Sequence, residues 1–170
     1  MIRQRRREYR SNYSRILSSS TVLAMNNGID HIGVTCVFYC HDGKGNILLH
    51  KRSKNCRDET GKWDCGGGAL EFGETWEQAV RREVKEEYFC DVKDLHFVTA
   101  NNVLRKHDGK QTHWIALLFS VLVDPKDARL GNPKKMDEIG WFPFGNLPSP
   151  LHSMFLKHFE MVRNAGVLRV

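Results

Sequence analysis

The chain has no apolar run near the roughly 18 residues that a membrane-crossing helix requires. Its longest, Trp114 to Val123, is the length of a strand. No internal repeat appears, and no second domain is legible. At 170 residues the chain is large enough for one domain with a full core. The cysteines at 36, 40, 56, 65 and 90 form no C-x-x-C pair, which excludes the usual zinc and dithiol motifs. Their odd count reads as reduced thiols, and the expectation is a cytoplasmic protein. The eight histidines contain no H-E-x-x-H, so a zinc hydrolase of that type is disfavoured. Basic charge is scarce where it would matter for nucleic acid. Six arginines against Glu8 and Asp30 put four of the six net positive charges in residues 1–30, leaving the remainder nearly balanced.

Carboxylates in one short stretch stand out instead. Glu83, Glu86 and Glu87 are spaced i, i+3 and i+4. With Glu83 at zero on a helix, Glu86 falls at about 300° and Glu87 at about 40°, one shared face. Trp76, Ala79 and Val80 lie on that same face, at about 20°, 320° and 60°. The acids therefore occupy the side that packs against the domain, whereas an ordinary amphipathic helix keeps them wet. Thr75 followed by Gln78 predicts a capping box at the helix start. A hard divalent cation is the natural counter-charge for three facing carboxylates, because oxygen ligands suit Mg²⁺ or Mn²⁺. A surface helix salt-bridged through Arg81, Arg82 and Lys85 is the ordinary alternative for a lone E-x-x-E-E. The run Gly66-Gly67-Gly68 just ahead moves the balance toward a metal cleft. It reads as a glycine loop after a strand at Trp63–Cys65, letting backbone approach phosphate or metal closely, with Gly67 in substrate contact.

The stretch from Gly68 to Cys90 resembles the Nudix box, G-x5-E-x7-R-E-U-x-E-E-x-G-U, with U a bulky aliphatic residue. Gly68, Glu74, Arg82, Glu83, Val84, Glu86 and Glu87 match in register. Phe89 stands at the glycine position and Cys90 at the last aliphatic one, both at the turn out of the helix. The resemblance implies an α+β fold, a Nudix α/β/α sandwich with a central mixed sheet over residues 31–170. It also implies Mg²⁺-assisted attack of water on a nucleoside diphosphate linked to another group. Glu83, Glu87 and Glu86, with the Gly68 carbonyl, are then the metal ligands. Glu83, Glu86 and a carboxylate outside the box, Glu138, are the catalytic candidates. Arg82 grips Glu74 as a bidentate pair, and both serve the motif structurally.

Around the box, strands are expected at His31–Cys40 and Ile47–Arg52, joined by a turn at 42–46. Further strands are expected at Asp94–Leu104, Thr112–Asp124 and Ile139–Pro143, and a last helix at Leu151–Asn164. In similar enzymes an arginine placed like Arg52 reaches the substrate phosphates, the alternative being a surface strand charge. Asp137-Glu138 and Trp141-Phe142 resemble a late segment of nucleotide-cleaving Nudix proteins. Trp141 and Phe142 alternate across a strand, so one is core and the other, or Phe144, is free to stack on a base. Trp141 is taken as the substrate-binding one.

LEFGETWEQAVRRE, LHFVTANNV and HWIALLF are most like the nucleoside triphosphate diphosphatases, a group that includes enzymes clearing oxidised or non-standard nucleotides. The expected reaction converts a triphosphate to the monophosphate and pyrophosphate. ADP-ribose, another nucleoside diphosphate derivative, or an RNA 5′ end are the alternatives. A catalytically dead Nudix fold is disfavoured because every box carboxylate is present. The expected partner is a small-molecule nucleotide. A homodimer is left open, a membrane is not expected and nucleic acid is disfavoured. Residues 1–30 read as a basic flexible extension, a mitochondrial-type leader, or an arm for RNA or membrane.

Overall fold

The structure, a computed structural model, describes residues 25–107 and 109–168. The arginine-rich stretch up to residue 24 lies outside the described residues. The strands are β1 (Gly33–His41), β2 (Asn46–Arg52), β3 (Trp63–Asp64), β4 (Gly66–Ala69), β5 (Asp94–His107), β6 (Lys110–Leu122) and β7 (Met136–Pro143). Two helices, α1 (Trp76–Tyr88) and α2 (Phe155–Asn164), complete the set. The main path of the sheet runs β3-β2-β1-β6-β5. β1 and β6 are parallel and their neighbours antiparallel, so the sheet is mixed.

Both faces of the sheet are covered, which is why its central strands are apolar on alternate sides and not on one side only. Cys36, Phe38 and Cys40 of β1 point to the α1 side, packing with Ala79, Val80, Val84 and Tyr88. Tyr39 of β1 and Ile47 and Leu49 of β2 point to the α2 side, packing with Phe155, Phe159 and Val162. This is the α/β/α sandwich of the expected class. No helix among the described residues is long and apolar enough to cross a membrane.

The branch in the sheet positions the site. β1 and β2 share one register pair, His41 with Ile47, and then part. Beyond that point β4 takes the free edge of β1, while β2 is flanked by β3 and β7. The glycine run is therefore a strand, not the loop its composition suggested. Gly66, Gly67 and Gly68 pair with Phe38, Val37 and Cys36. None of the three has positive φ. They are glycine because other atoms fill the space a side chain would take. A Cβ on Gly66 would sit 2.0 Å from the Phe38 ring, and one on Gly68 would sit 2.0 Å from the Glu83 carboxylate.

Helix α1 begins as its sequence dictates. Thr75 Oγ1 accepts from the Gln78 N–H at 3.3 Å, and the Gln78 side chain accepts from the Thr75 N–H at 2.8 Å. At the far end Phe89 takes the left-handed conformation, φ 59°, and its N–H donates to Lys85 O. The exit turn forms without the glycine. The last carbonyls are closed from outside, with Arg129 N–H donating to Tyr88 O and Gly131 N–H to Glu87 O. Gly131 fits so closely that a Cβ there would lie 2.0 Å from Glu86 O. Several boundaries differ from expectation, those of β1, β5 and β6 by two or three residues. β7 starts early enough to include Asp137 and Glu138, and α2 starts at Phe155, because Leu151 instead bridges to Trp63.

Candidate active site

Helix α1 carries the box carboxylates to the edge of β4. Glu83 lies directly over Gly68, and Glu87 Oε2 accepts from the Gly67 N–H at 3.2 Å. Burial pushes the Glu87 carboxyl well above its usual range, and repulsion from Glu83 adds to the shift. Glu83 is also raised, chiefly by burial, although Arg82 opposes this. Two carboxylates set near each other under partial burial, Glu87 made costlier by Glu83 and Glu83 by Glu86, form an oxygen-rich site suited to a positive charge. The Gly68 carbonyl accepts from Thr35 Oγ1 at 2.9 Å.

Glu86 differs from these two. It is 61% exposed and approaches Arg82 at 3.8 Å. Among the described residues no three Asp, Glu, His or Cys side chains stand close enough to form a ready metal cage. The donor set still fits a hard cation, because every candidate is oxygen and Glu86 is free to swing in.

Arg82 organises the cluster. Its Nε and Nη2 donate to the two oxygens of Glu74 at 3.3 and 2.7 Å, while Nη1 donates to Glu83 at 2.5 Å. The Glu74 carboxyl is held down chiefly by Arg82, and its Oε1 also accepts from the Glu71 N–H. One guanidinium thus ties the loop before α1 to Glu83 in the middle of the helix.

A cavity of about 470 Å³ opens on the α2 side where β1 and β2 part, with Gly67 and Glu87 in its wall. His50 lies there too. Its Nδ1 is hydrogen-bonded to the buried Tyr88 hydroxyl at 2.8 Å, and burial lowers its pKa to about 3, so it is neutral. Arg52 also lines the cavity, but its guanidinium is engaged. Nη2 meets Asp58 Oδ1 at 2.8 Å and Nη1 meets Asp64 Oδ2 at 3.3 Å.

Trp141 is not in this wall. It packs against the cluster under α1, while Phe142 turns to the α2 side with its ring 4.9 Å from that of Trp63. Trp141 thus lies on the α1 face of the sheet, because pairing with Leu48 fixes its parity. Glu138, opposite Lys51 on β7, is exposed and does not line the cavity. Of the residues named from sequence, the structure gathers Glu83, Glu87, Gly67, Gly68, Arg82 and Glu74 in one place. Arg52 stands on the adjoining wall, Glu86 at the rim, and Trp141 and Glu138 apart.

Several polar residues at or next to the cavity carry no sequence signal. Asp64, beside the glycine strand, has its carboxyl raised by burial despite nearby His152 and Arg52. Glu59, at φ 49°, accepts from the Ser153 N–H and hydroxyl and pairs with Arg105 and Lys62. Burial opposes its charge, yet Ser153, Lys62 and His152 together hold it at about 2. The segment supplying His152 and Ser153 is placed by Trp63, which donates to Pro150 O and accepts from the His152 N–H, both at 2.8 Å.

A NUDIX domain model matches residues 30–165. The oxidized purine nucleoside triphosphate hydrolase of Danio rerio is 32% identical over 106 residues, 61% of this chain and 62% of that protein. The NAD-capped RNA hydrolase NudC of Edwardsiella ictaluri is 31% identical over 116 residues, 66% of this chain and 40% of that one. A crystal structure of a MutT NUDIX hydrolase from Burkholderia pseudomallei superposes with a TM-score of 0.68 at 27% identity, covering 78% of this chain and 98% of that one. The chain spans less than two thirds of the length of the curated relatives it matches.

Proposed function

The chain belongs to the Nudix family, and from that premise we propose that it is a Mg²⁺-dependent hydrolase converting a nucleoside triphosphate, oxidised or non-standard bases included, to the monophosphate and pyrophosphate. The observation that carries this reading is the pair Glu83 and Glu87, raised in pKa by burial, beside Gly67 and Gly68, with Glu87 and Gly67 in the wall of a 470 Å³ cavity. The name of the Danio rerio relative speaks for a triphosphate. Mn²⁺ is the alternative cation.

Glu83, Glu86, Glu87 and the Gly68 carbonyl are the groups that would hold the cation. When bound, it supplies Lewis-acid polarisation of the phosphoryl oxygens and neutralises charge developing there. The remaining work falls to the chain. Water attacks phosphorus, its oxygen forms the new P–O bond, and the bond to the bridging oxygen breaks as pyrophosphate leaves. Glu83 accepts the proton. Arg82 fixes its orientation. The Gly67 and Gly68 backbone, bare of side chains, allows the phosphates to approach the acids.

The test is product analysis with Mg²⁺ on a panel of canonical and oxidised triphosphates, ADP-ribose, dinucleoside polyphosphates and 5′-triphosphate or NAD-capped RNA. Pyrophosphate released from a triphosphate is the expected result. Turnover of ADP-ribose or capped RNA alone would replace the substrate class.

A further inference from the structure

The cavity is lined by four permanent cations, Arg52, Arg57, Arg105 and Lys135. Three are already occupied. Arg52 fills its fork with Asp58 and Asp64. Arg105 is bound to Asp58 and Glu59. Arg57 lies over the Trp114 ring, 5.9 Å from its centroid, and approaches Asp58 at 3.8 Å. Lys135 is the exception. Among the described residues its ammonium takes no hydrogen bond or ion pair, and its field reaches Glu83 and Glu87, favouring the charged form of each.

Its backbone, by contrast, is held firmly. Lys135 O accepts from the Ser53 N–H at 2.9 Å and from Cys56 Sγ at 3.1 Å, and its N–H donates to Asn132 O at 3.0 Å. Next to it, Lys134 O accepts from Ser53 Oγ at 2.6 Å and from Asn55 Nδ2 at 2.9 Å. The same loop is seated on the end of α1 through Gly131. A flexible, uncommitted ammonium on a fixed root, at a cavity wall beside the metal-type carboxylates, is placed to meet anionic oxygens that enter with the substrate.

We propose that Lys135 is the side chain that binds the leaving pyrophosphate portion of the substrate, and that Arg52 is a structural clamp. This rests on the hydrolase reading above and names the group that orients its leaving portion. The bound anion completes the donors of the ammonium.

Binding of inorganic pyrophosphate in the presence of Mg²⁺, measured by titration calorimetry, tests this without turnover. A hydrogen bond to a charged group is worth enough that Lys135→Met is expected to weaken binding about tenfold. Lys135→Arg is expected to stay within about threefold of the parent. Lys134→Met, which removes the same charge one residue away, is expected to leave affinity unchanged. In steady state, Lys135→Met raises KM more than it lowers kcat. Equal pyrophosphate affinity in Lys135→Met and the parent overturns the assignment. So does an equal loss in Lys134→Met, which would mean a general field, or a parent that binds no pyrophosphate. If pyrophosphate binding depends on Lys135 while no triphosphate is hydrolysed, the assignment holds and the proposed reaction falls.

Discussion

Acidification should unfold this protein through His50, and the size of the effect follows from its surroundings. The imidazole is buried at the cavity wall, with Nδ1 hydrogen-bonded to the Tyr88 hydroxyl and Arg52 nearby. Burial, then Arg52, then His152 lower its pKa from 6.5 to about 3. Between those values the unfolded chain holds a proton that the folded chain refuses. Stability is therefore intact above 6.5 and drains away as pH falls toward 3. At about 1.4 kcal/mol per pH unit, taking the protein from pH 7 to pH 5 costs about 2 kcal/mol through this one ring. That is a large share of the roughly 5–15 kcal/mol typical of a domain. His50→Gln keeps a hydrogen-bonding partner for Tyr88 and removes the titrating site. Urea unfolding at pH 7 and pH 5 should show the acid penalty smaller in the variant by about 2 kcal/mol. His158, lowered to about 4 mainly by burial, contributes a further part that both proteins share. Identical losses in parent and variant would refute the reasoning, since they would place the acid-sensitive proton elsewhere.

Glu87→Gln is expected to lower kcat by about a hundredfold or more, because it removes a ligand of the cation. The metal-free variant should be no less stable than the parent in urea, since a buried charge has gone; wild-type-like turnover would remove the metal assignment. Gly68→Ala places a methyl 2.0 Å from the Glu83 carboxylate, so Glu83 must move. Activity should fall at least about tenfold with a stability loss of about 1–3 kcal/mol by thermal melting, and unchanged kinetics would count against Glu83 as the proton acceptor. Phe89→Gly should raise the unfolding free energy by up to about 1 kcal/mol, because φ 59° costs an L-residue and not glycine. A destabilised variant would show that the half-exposed ring packs usefully.

The box helix could be read before folding because its determinants are local. Thr75 and Gln78 cap it in sequence, and the three-to-four spacing of the acids needs only helical geometry. Strand order and the glycine strand were beyond such reading. Glycine has low strand propensity, so three in a row signal a loop. Their cause lies in the Phe38 ring and the Glu83 carboxylate, which arrive from elsewhere in the chain. The face that Trp141 takes is beyond such reading for a related reason. With both faces of the sheet covered, alternation shows that Trp141 and Phe142 point opposite ways but not which face holds the cavity. Lys135 and Glu59 were silent because each owes its position to loop contacts, Ser53 to Lys135 and Ser153 to Glu59, that leave no period or motif.

The seating of Gly131 on the end of α1 sets a rule for anyone building chimeras of this enzyme. Residues 128–131 and the acid helix belong together, since the loop's amides complete the helix, while the placement of Lys135 also needs the turn at residues 53–56. Moving the helix alone into a foreign scaffold would leave two carbonyls open, whereas helix, loop 128–135 and the 53–56 turn exchanged together should keep both the helix end and the lysine in place.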